Sequence, residues 1–243
     1  MTQWVVELRD VQKTYQTGQV GVPALRDIGL RVAAGEFLAI AGPSGSGKTT
    51  LLNIIGGLDQ ADSGEVWVAG KNIRRLSAGA LARLRLQRLG FVFQAYNLLP
   101  VLTALENAEF TLLLQGVPAR RRREKVQKLF SEIGLAGLED RRPAQLSGGQ
   151  QQRVAVARAM ITEPALILAD EPTANLDSAT AVALLDVMEQ LNQTHGTTFV
   201  FSTHDPRVME RARRLIRLRD GQVVSDEKPH LSDGLTRQYG ATS

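Results

Sequence analysis

The sequence predicts an α/β protein built on a mainly parallel sheet. Short apolar runs of strand type alternate with amphipathic helical segments, and this alternation is typical of a parallel sheet covered by helices. One apolar run, 36–41, stops at a glycine-rich loop, and a segment with helical spacing follows the loop. Strand, glycine loop and helix in this order indicate a chain that turns sharply at the carboxyl end of a buried strand.

The remaining elements follow from the spacing of apolar residues. Strands are predicted at 5–8, 28–32, 36–41, 64–70, 165–169 and 197–202, and helices at 51–58, 80–88, 105–114, 120–133, 150–160 and 179–192. We expect a loop containing Gly18, Gly21 and Pro23 between the first two strands. We also expect a hairpin over 215–224 that turns at Asp220 and Gly221.

Composition excludes several classes of function. The chain has 243 residues, 43% of them hydrophobic, enough to bury a substantial core in one large domain. Its 29 Lys and Arg against 25 Asp and Glu give a net charge of only +4, too small a surplus to indicate a nucleic-acid binder. Cysteine is absent, which excludes disulfides and thiol catalysis. Without a secretory signal or a run of about 18 apolar residues, we expect a cytoplasmic chain, and any membrane role would have to come through a partner.

A phosphate-binding loop is predicted between the strand at 36–41 and the next helix. The residues that match the pattern G-x-x-x-x-G-K-[ST] are Gly42, Pro43, Ser44, Gly45, Ser46, Gly47, Lys48 and Thr49. The glycines let backbone N–H groups point at phosphate oxygens, and the helix N-terminus adds its positive end. Lys48 should reach the β- and γ-phosphates, Thr49 should bind Mg²⁺, and Thr50 extends the site. A chance glycine loop is the alternative, which the strand-and-helix context disfavours.

Two carboxylates follow the apolar run at 165–169. Asp170 is predicted to hold the metal, directly or through one of its ligands, and Glu171 to polarise the attacking water. An Asp-Glu pair at a strand end is more often a solvated turn, but the phosphate loop elsewhere in the chain favours a site. His204 follows a neighbouring strand, where it could face the γ-phosphate, although a lone histidine is more often structural.

A second anion-binding helix start leads to a family resemblance. The motif consists of Leu146, Ser147, Gly148, Gly149 and Gln150, and it opens a helix whose backbone amides can bind an anion. With this motif the chain resembles, from about residue 5 to 225, the ATPase subunits of ABC transporters. The resemblance implies a P-loop NTPase parallel-sheet core with an N-terminal antiparallel β subdomain and an inserted α-helical subdomain. The whole chain, 1–243, would be one such domain, with 1–93 and 156–243 forming the core and β subdomain and 94–155 the helical subdomain.

The resemblance also implies residue roles. Tyr15 would stack on adenine, unless the loop before Pro23 places another residue there. Gln94 would sense Mg²⁺ and water, and His204 would be the switch histidine. The implied catalytic set is Glu171, His204, Gln94 and Lys48, and the metal set is Thr49, Gln94 and Asp170. The second chain's γ-phosphate would be gripped by Ser147, Gly148, Gly149 and Gln150, with Asp177 crossing the dimer interface.

Three runs, 22–25, 52–59 and 90–100, resemble the lipoprotein-release and macrolide-export branch (the LolD and MacB type). Ala174 departs from the glycine common there. The branch implies an ATP-hydrolysing homodimer formed head to tail around two ATP molecules, without nucleic acid. It would lie peripherally at the cytoplasmic face of the inner (cell) membrane. Its partner would be a four-span permease with a large periplasmic domain, and the complex would release lipoproteins or export an amphiphilic, drug-like molecule.

Two alternatives to this function remain. A regulatory ATPase could control a periplasmic process through a similar membrane partner without moving cargo, and the sequence hardly distinguishes it. A clamp acting on DNA or the ribosome is disfavoured because such relatives insert a long coiled coil or carry two ATPase units.

The apolar run 96–102 could form a groove for a helix of the membrane partner or belong to the core. The arginines at 120–123 are interpreted as a solvated helix start, with docking to anionic lipid as the alternative.

Overall fold

A computed structural model describes residues 4–18 and 20–228. The strands are β1 Trp4–Thr17, β2 Val20–Ala33, β3 Phe37–Ala41, β4 Ser63–Val68, β5 Lys71–Asn72, β6 Leu89–Val92, β7 Leu166–Asp170, β8 Thr198–Thr203, β9 Arg214–Arg219 and β10 Gln222–Glu227. The helices are α1 Lys48–Ile55, α2 Ala78–Arg88, α3 Ala104–Leu114, α4 Ala119–Glu132, α5 Gly148–Met160, α6 Ser178–His195 and α7 Pro206–Arg211. Over these residues, every helix is too short or too polar to cross a bilayer.

The central sheet has six strands in the order β10-β9-β3-β8-β7-β6. All neighbours pair in parallel except β9 and β10, which form the predicted hairpin. The strands β3 and β8 are buried along their whole length, which explains their continuous apolar or small residues. Because Ala41 pairs with Thr203 and Asp170 with Ser202, the carboxyl ends of β3, β7 and β8 lie side by side. This edge is where open α/β sheets place their ligands.

The two faces of the central sheet pack against different parts of the chain. Phe37 and Phe199 face a core formed mainly with α3, α4, α5 and α6. Leu38 and Val200, one position further along each strand, face a core formed with α1 and the antiparallel strands. Alternation along a strand produces this division. The helices α3, α4 and α5 come between β6 and β7 along the chain, and the subdomain boundaries at 94 and 155 stay a prediction.

A second sheet, in the order β2-β1-β4-β5, is antiparallel. The predicted loop with Gly18, Gly21 and Pro23 was wrong: Gly21 and Pro23 lie in β2, where they pair with Gln16 and Thr14. Of the three, only Gly18, with φ +64°, lies outside the strands. Hydrogen bonds between β1 and β2 extend both strands through residues whose local sequence is typical of a loop. The local sequence alone does not indicate such cross-strand bonds.

Three elements were not predicted: the two-residue strand β5, the strand β6 and the helix α7. The strand β6 lies in a stretch with mostly helical spacing, and it is a strand because Leu89 and Val92 pair in parallel with Leu166 and Ala169 of β7. The helix α7 is a single short segment after β8, capped by the Asp205 side chain. The strand β6 depends on a neighbour distant in sequence, which spacing alone cannot indicate, whereas α7 begins at a local signal, Asp205 followed by Pro206.

Candidate functional site

The loop at 42–49 has the backbone of an anion cradle. Gly45 and Gly47 adopt φ values of +78° and +101°, which side chains disfavour. A Cβ at Gly47 would lie 2.5 Å from the Ala24 carbonyl oxygen, and one at Gly42 would collide with the Leu218 carbonyl oxygen. Gly47 is therefore required by both conformation and space, Gly45 by conformation and Gly42 by space. The Ser46 hydroxyl is buried without a hydrogen-bond partner among the described residues, so the loop retains a free polar group at its centre.

Lys48 and Thr49 begin α1 at the end of this loop. The Lys48 ammonium, in a residue only 8% exposed, donates to the carbonyl oxygens of Gly42 (2.8 Å) and Pro43 (3.0 Å). The Thr49 hydroxyl donates to Asp170 Oδ1 at 3.2 Å. A hydroxyl and a carboxylate are oxygen donors of the kind that Mg²⁺ prefers, so this pair fits that ion. The described residues contain no cluster of three acidic or histidine side chains, so phosphate or water oxygens would complete the coordination.

Glu171 is held in place by the end of β8. Its carboxylate contacts His204, with Oε1 2.7 Å from Nδ1, and its Oε2 accepts a hydrogen bond from the Thr203 hydroxyl at 3.3 Å. Its backbone N–H donates to the Ser202 carbonyl oxygen at 2.9 Å. Its side chain is 15% exposed and that of His204 is 71% exposed. The carboxylate thus has a defined direction at the mouth of the site.

A cleft of about 630 Å³ brings the predicted residues of several elements together. It is lined by Tyr15, Ala24, Pro43, Ser44, Gly45, Ser46, Gly47, Lys48, Thr49, Thr50, Gln94, Glu171 and His204. Tyr15 comes from β1, Gln94 follows β6, and Glu171 and His204 follow β7 and β8. Asn175 also contacts Gln94, because its side-chain amide donates to the Gln94 carbonyl oxygen at 2.9 Å. The cleft therefore joins both sheets and the start of the helical segment.

The predicted residues at 147–150 and Asp177 do not line this cleft. Ser147 caps α5 and exchanges hydrogen bonds with Gln150 in a capping box. Asp177 caps α6, accepting from the Thr180 N–H (3.0 Å) and hydroxyl (2.6 Å), and these bonds lower the pKa of Asp177. The two helix starts pack together, with Gly149 against the Thr180 methyl. The chain therefore presents a second capped helix start, predicted to bind an anion, that does not line the cleft of its first cradle.

The structure also shows polar residues that sequence reasoning missed. Gln152 is fully buried, and its amide donates to the carbonyl oxygens of Pro172 (2.7 Å) and Phe93 (3.3 Å). It thereby joins α5 to the segments after β6 and β7. Asp205 accepts from the Thr173 hydroxyl at 2.7 Å and binds Arg207. A glutamine two residues after the 146–150 motif was the available signal, but amphipathic spacing does not separate it from surface glutamines.

The apolar run 96–102 divides between the two interpretations. Leu98 packs against the core, whereas Leu99 and Val101 are 39% and 74% exposed. Close to this run lies a mainly apolar groove of about 450 Å³, lined by Leu58, Ala82, Arg85, Leu86, Leu89, Gly90, Phe91, Phe93, Asn97, Thr111, Arg158 and Ala159. Arg158 donates to the carbonyl oxygens of Tyr96 and Asn97, and burial lowers its pKa.

The arginine run at 120–123 starts α4 and is only partly solvated. Arg120 is exposed and pairs with Glu124 at 2.9 Å, as expected for a solvated helix start. Arg122 is instead largely buried and pairs with Glu109 of α3 at 3.3 Å. One arginine of the run therefore joins two helices, which a charge run in the sequence did not indicate.

Comparison with known proteins places this chain in a family. The family model described as ABC transporter matches residues 25–174. The chain is 47% identical, over 94% of its length, to the lipoprotein-releasing system ATP-binding protein LolD of Anaeromyxobacter dehalogenans, of which it covers 96%. It is also 47% identical to the macrolide export ATP-binding/permease protein MacB of Syntrophobacter fumaroxidans, again over 94% of its length.

A solved structure agrees with the fold. The dimeric structure of the ATP-binding cassette MJ0796 in a post-hydrolysis state, bound to ADP and Pi, has a TM-score of 0.85 and 43% identity, and covers 92% of this chain and 98% of that one. The chain spans only about a third of the MacB relative. The matching family model, the high identity of the relatives and the shared fold lead to one conclusion: the chain belongs to the ABC transporter family.

Proposed function

We propose that this chain binds Mg-ATP in the cleft, hydrolyses it in a head-to-tail homodimer, and powers a membrane partner. The observation that carries the proposal is the convergence of the phosphate loop, Gln94, Glu171 and His204 on one cleft. A cradle of backbone amides at a helix start binds phosphate, and a held carboxylate opposite it can direct water at the terminal phosphorus.

Each residue of the cleft has a task in this mechanism. The Lys48 ammonium would exchange its two carbonyl contacts for phosphate oxygens. Thr49 and Asp170 would hold Mg²⁺, which supplies positive charge to neutralise the phosphate oxygens. Glu171, directed by His204 and Thr203, would orient the attacking water and accept its proton. Gln94 would contact the bound Mg²⁺ and water and so couple the occupied site to the helices α3, α4 and α5, which follow it in the chain. Tyr15 would stack on the adenine ring.

The dimer follows from the position of the second anion-binding helix start. The cleft of the same chain is not lined by Ser147, Gly148, Gly149 or Gln150. These residues would therefore cap the γ-phosphate of an ATP bound to a second copy of the chain. Asp177, at the start of α6, would lie in the same interface. The similar cassette structure, which is dimeric and holds ADP and Pi, supports this arrangement.

The membrane partner would dock at the groove beside residues 96–102. A short apolar helix fits its lining, and charge complementarity favours an acidic group on that helix, because Arg85 and Arg158 have no carboxylate partner among the described residues. The segment after Gln94 would then transmit closure of the cleft to the membrane partner.

The chain would work peripherally at the cytoplasmic face of the inner membrane. The resemblance to the lipoprotein-release and macrolide-export branch implies a permease with four spans and a large periplasmic domain, and the names of the LolD and MacB relatives support that branch.

The hydrolytic role is tested by Glu171→Gln. This variant keeps the shape of the side chain but cannot accept a proton, so we expect ATP binding with almost no turnover. The ATP-loaded variant should accumulate as a dimer, visible by gel filtration, while Lys48→Ala should fail to bind a fluorescent nucleotide. Normal turnover by Glu171→Gln, or a strictly monomeric ATP-loaded form, would overturn the proposal.

The cargo is tested with the membrane partner. In proteoliposomes that contain the permease, ATP should drive lipoprotein release or export of an amphiphilic compound. ATP hydrolysis that responds to the permease without any movement of cargo would instead identify the regulatory ATPase.

A further inference from the structure

Asp59 connects two residues of β1 to the segment that follows α1. Its Oδ2 accepts a hydrogen bond from the Tyr15 hydroxyl at 2.6 Å, and its Oδ1 accepts one from the Lys13 ammonium at 2.9 Å. The Lys13 ammonium also lies 5.0 Å from the centre of the Tyr15 ring. One carboxylate thus holds a tyrosine hydroxyl and a lysine that stands over the same tyrosine ring.

The protonation states of this cluster agree with its geometry. Burial opposes ionisation of Asp59, but the hydrogen bonds from Tyr15 and Lys13 outweigh burial and lower the pKa of Asp59. Burial and the bond to Asp59 raise the pKa of the Tyr15 phenol. Burial lowers the pKa of Lys13, but the bond to Asp59 and the nearby negative charges raise it by more, so the pKa of Lys13 is raised overall. At neutral pH the cluster is therefore a carboxylate that accepts from a phenol and an ammonium.

Besides Asp59, the Thr50 side chain contacts the Tyr15 hydroxyl and acts to lower the pKa of Tyr15, but it is outweighed by burial and the bond to Asp59. Tyr15 is 40% exposed, and across the hairpin it faces Val22, which is 49% exposed. Asp59, by contrast, is fixed to α1, because its N–H and that of Leu58 both donate to the Asn53 carbonyl oxygen. Since α1 begins at Lys48, Asp59 ties the Tyr15 ring to the helix that carries the phosphate loop.

We propose that Asp59 is a positioning residue for the nucleotide base: with Lys13, it orients the Tyr15 ring at the cleft so that the adenine meets a pre-formed surface. The inference rests on the proposed function, in which Tyr15 receives the base. An exposed tyrosine without this anchor samples several rotamers, and restricting it on binding costs affinity. Asp59 would thus act on the base and not on the phosphates.

The test compares two ligands. ATP and inorganic tripolyphosphate, which lacks a base, are titrated in EDTA by calorimetry into the wild type, Asp59→Asn, Tyr15→Phe and the double variant. Asp59→Asn should weaken ATP binding about fivefold, the effect of one typical hydrogen bond, and leave tripolyphosphate unchanged. In the Tyr15→Phe background the hydroxyl is already gone, so Asp59→Asn should add no further loss.

Asp62→Asn is the matched control. Asp62 lies 3.8 Å from the Lys13 ammonium and accepts the Thr14 N–H, but no hydrogen bond joins it to Tyr15. We expect its affinity for both ligands to equal that of the wild type. An equal loss of ATP and tripolyphosphate binding in Asp59→Asn, or additive losses in the double variant, would overturn the inference. A wild type that binds neither ligand would contradict the proposed function itself.

Discussion

Glu171 occupies a backbone conformation that few glutamates adopt. Its φ is +45°, in the left-handed region, where a residue with a Cβ is strained. The bond from its N–H to Ser202 and the contacts of its carboxylate with Thr203 and His204 compensate for that strain. The chain thereby turns sharply at the end of β7 and directs one carboxylate into the cleft. Strain supported by several bonds at one residue is typical of a functional position.

His204→Ala tests how far orientation of Glu171 matters. The phosphate loop is untouched, so ATP affinity should stay close to that of the wild type. Turnover should fall about 100-fold, because a misdirected base loses most of its catalytic effect. The measurements are phosphate release and nucleotide titration. His195→Ala is the control: His195 pairs with Glu132 at 3.1 Å and does not line the cleft, so turnover should not change. Equal turnover in His204→Ala and the wild type would exclude the orienting role.

At the scale of elements, α5 and α6 begin side by side, and each start is capped by its own side chain. Ser147 caps the first and Asp177 the second. Their close approach requires Gly149, because a Cβ there would collide with the Thr180 methyl. Small size, and not backbone freedom, is the requirement at this glycine, since its φ is not in the left-handed region.

Gly149→Ala should therefore destabilise the fold by overpacking, by about 1–3 kcal/mol in urea unfolding. Adding Thr180→Ser should restore most of the stability, because serine lacks the colliding methyl and keeps the hydroxyl that donates to Asp177. Thr180→Ser alone should be close to neutral. If the double variant were as unstable as Gly149→Ala, the collision would not be the cause.

At the scale of the whole molecule, Arg214 joins the two sheets. Its guanidinium donates to the Arg31 carbonyl oxygen in β2 at 2.7 Å, to Glu36 before β3 at 3.0 Å, and to Asp226 in β10 at 2.6 Å. The bond from Arg214 outweighs burial and lowers the pKa of Asp226. One side chain thus fixes the antiparallel sheet, which carries Tyr15, to the sheet that carries the phosphate loop.

The Asp226 bond gives a pH-dependent prediction. A carboxylate whose pKa is lower in the folded state stabilises the fold above its unfolded pKa of about 3.9, and that contribution is lost as the pH falls through the folded value. Asp226→Asn should therefore lower stability at pH 7 by about 1 kcal/mol or less, since the side chain is 44% exposed. The difference should vanish in strong acid. Asp220→Asn, in an 82% exposed carboxylate, is the control and should show no such difference.

Much of the fold and site was predictable because its signals are local. The phosphate loop is contiguous, and Asp170 and Glu171 follow directly on an apolar run, so spacing alone placed them at the end of a buried strand. The helices α2, α3, α4, α5 and α6 have apolar residues at helical spacing and were predicted within a few residues of their bounds. The strand β6 and the length of β1 and β2 were not predictable, because their hydrogen bonds run to distant partners.

The sequence by itself determined the residue types and motifs: the phosphate-loop pattern at 42–49, the pair Asp170 and Glu171 after an apolar run, and a second glycine-containing helix start at 146–150. Only the tertiary structure decided the geometry: that Tyr15, Gln94 and His204 line one cleft with the phosphate loop while Ser147 does not, and that Asp59 holds Tyr15. The reason is physical. Residue type and short-range spacing set the chemical capacity of a motif, whereas contacts between distant segments arise from packing of the whole chain.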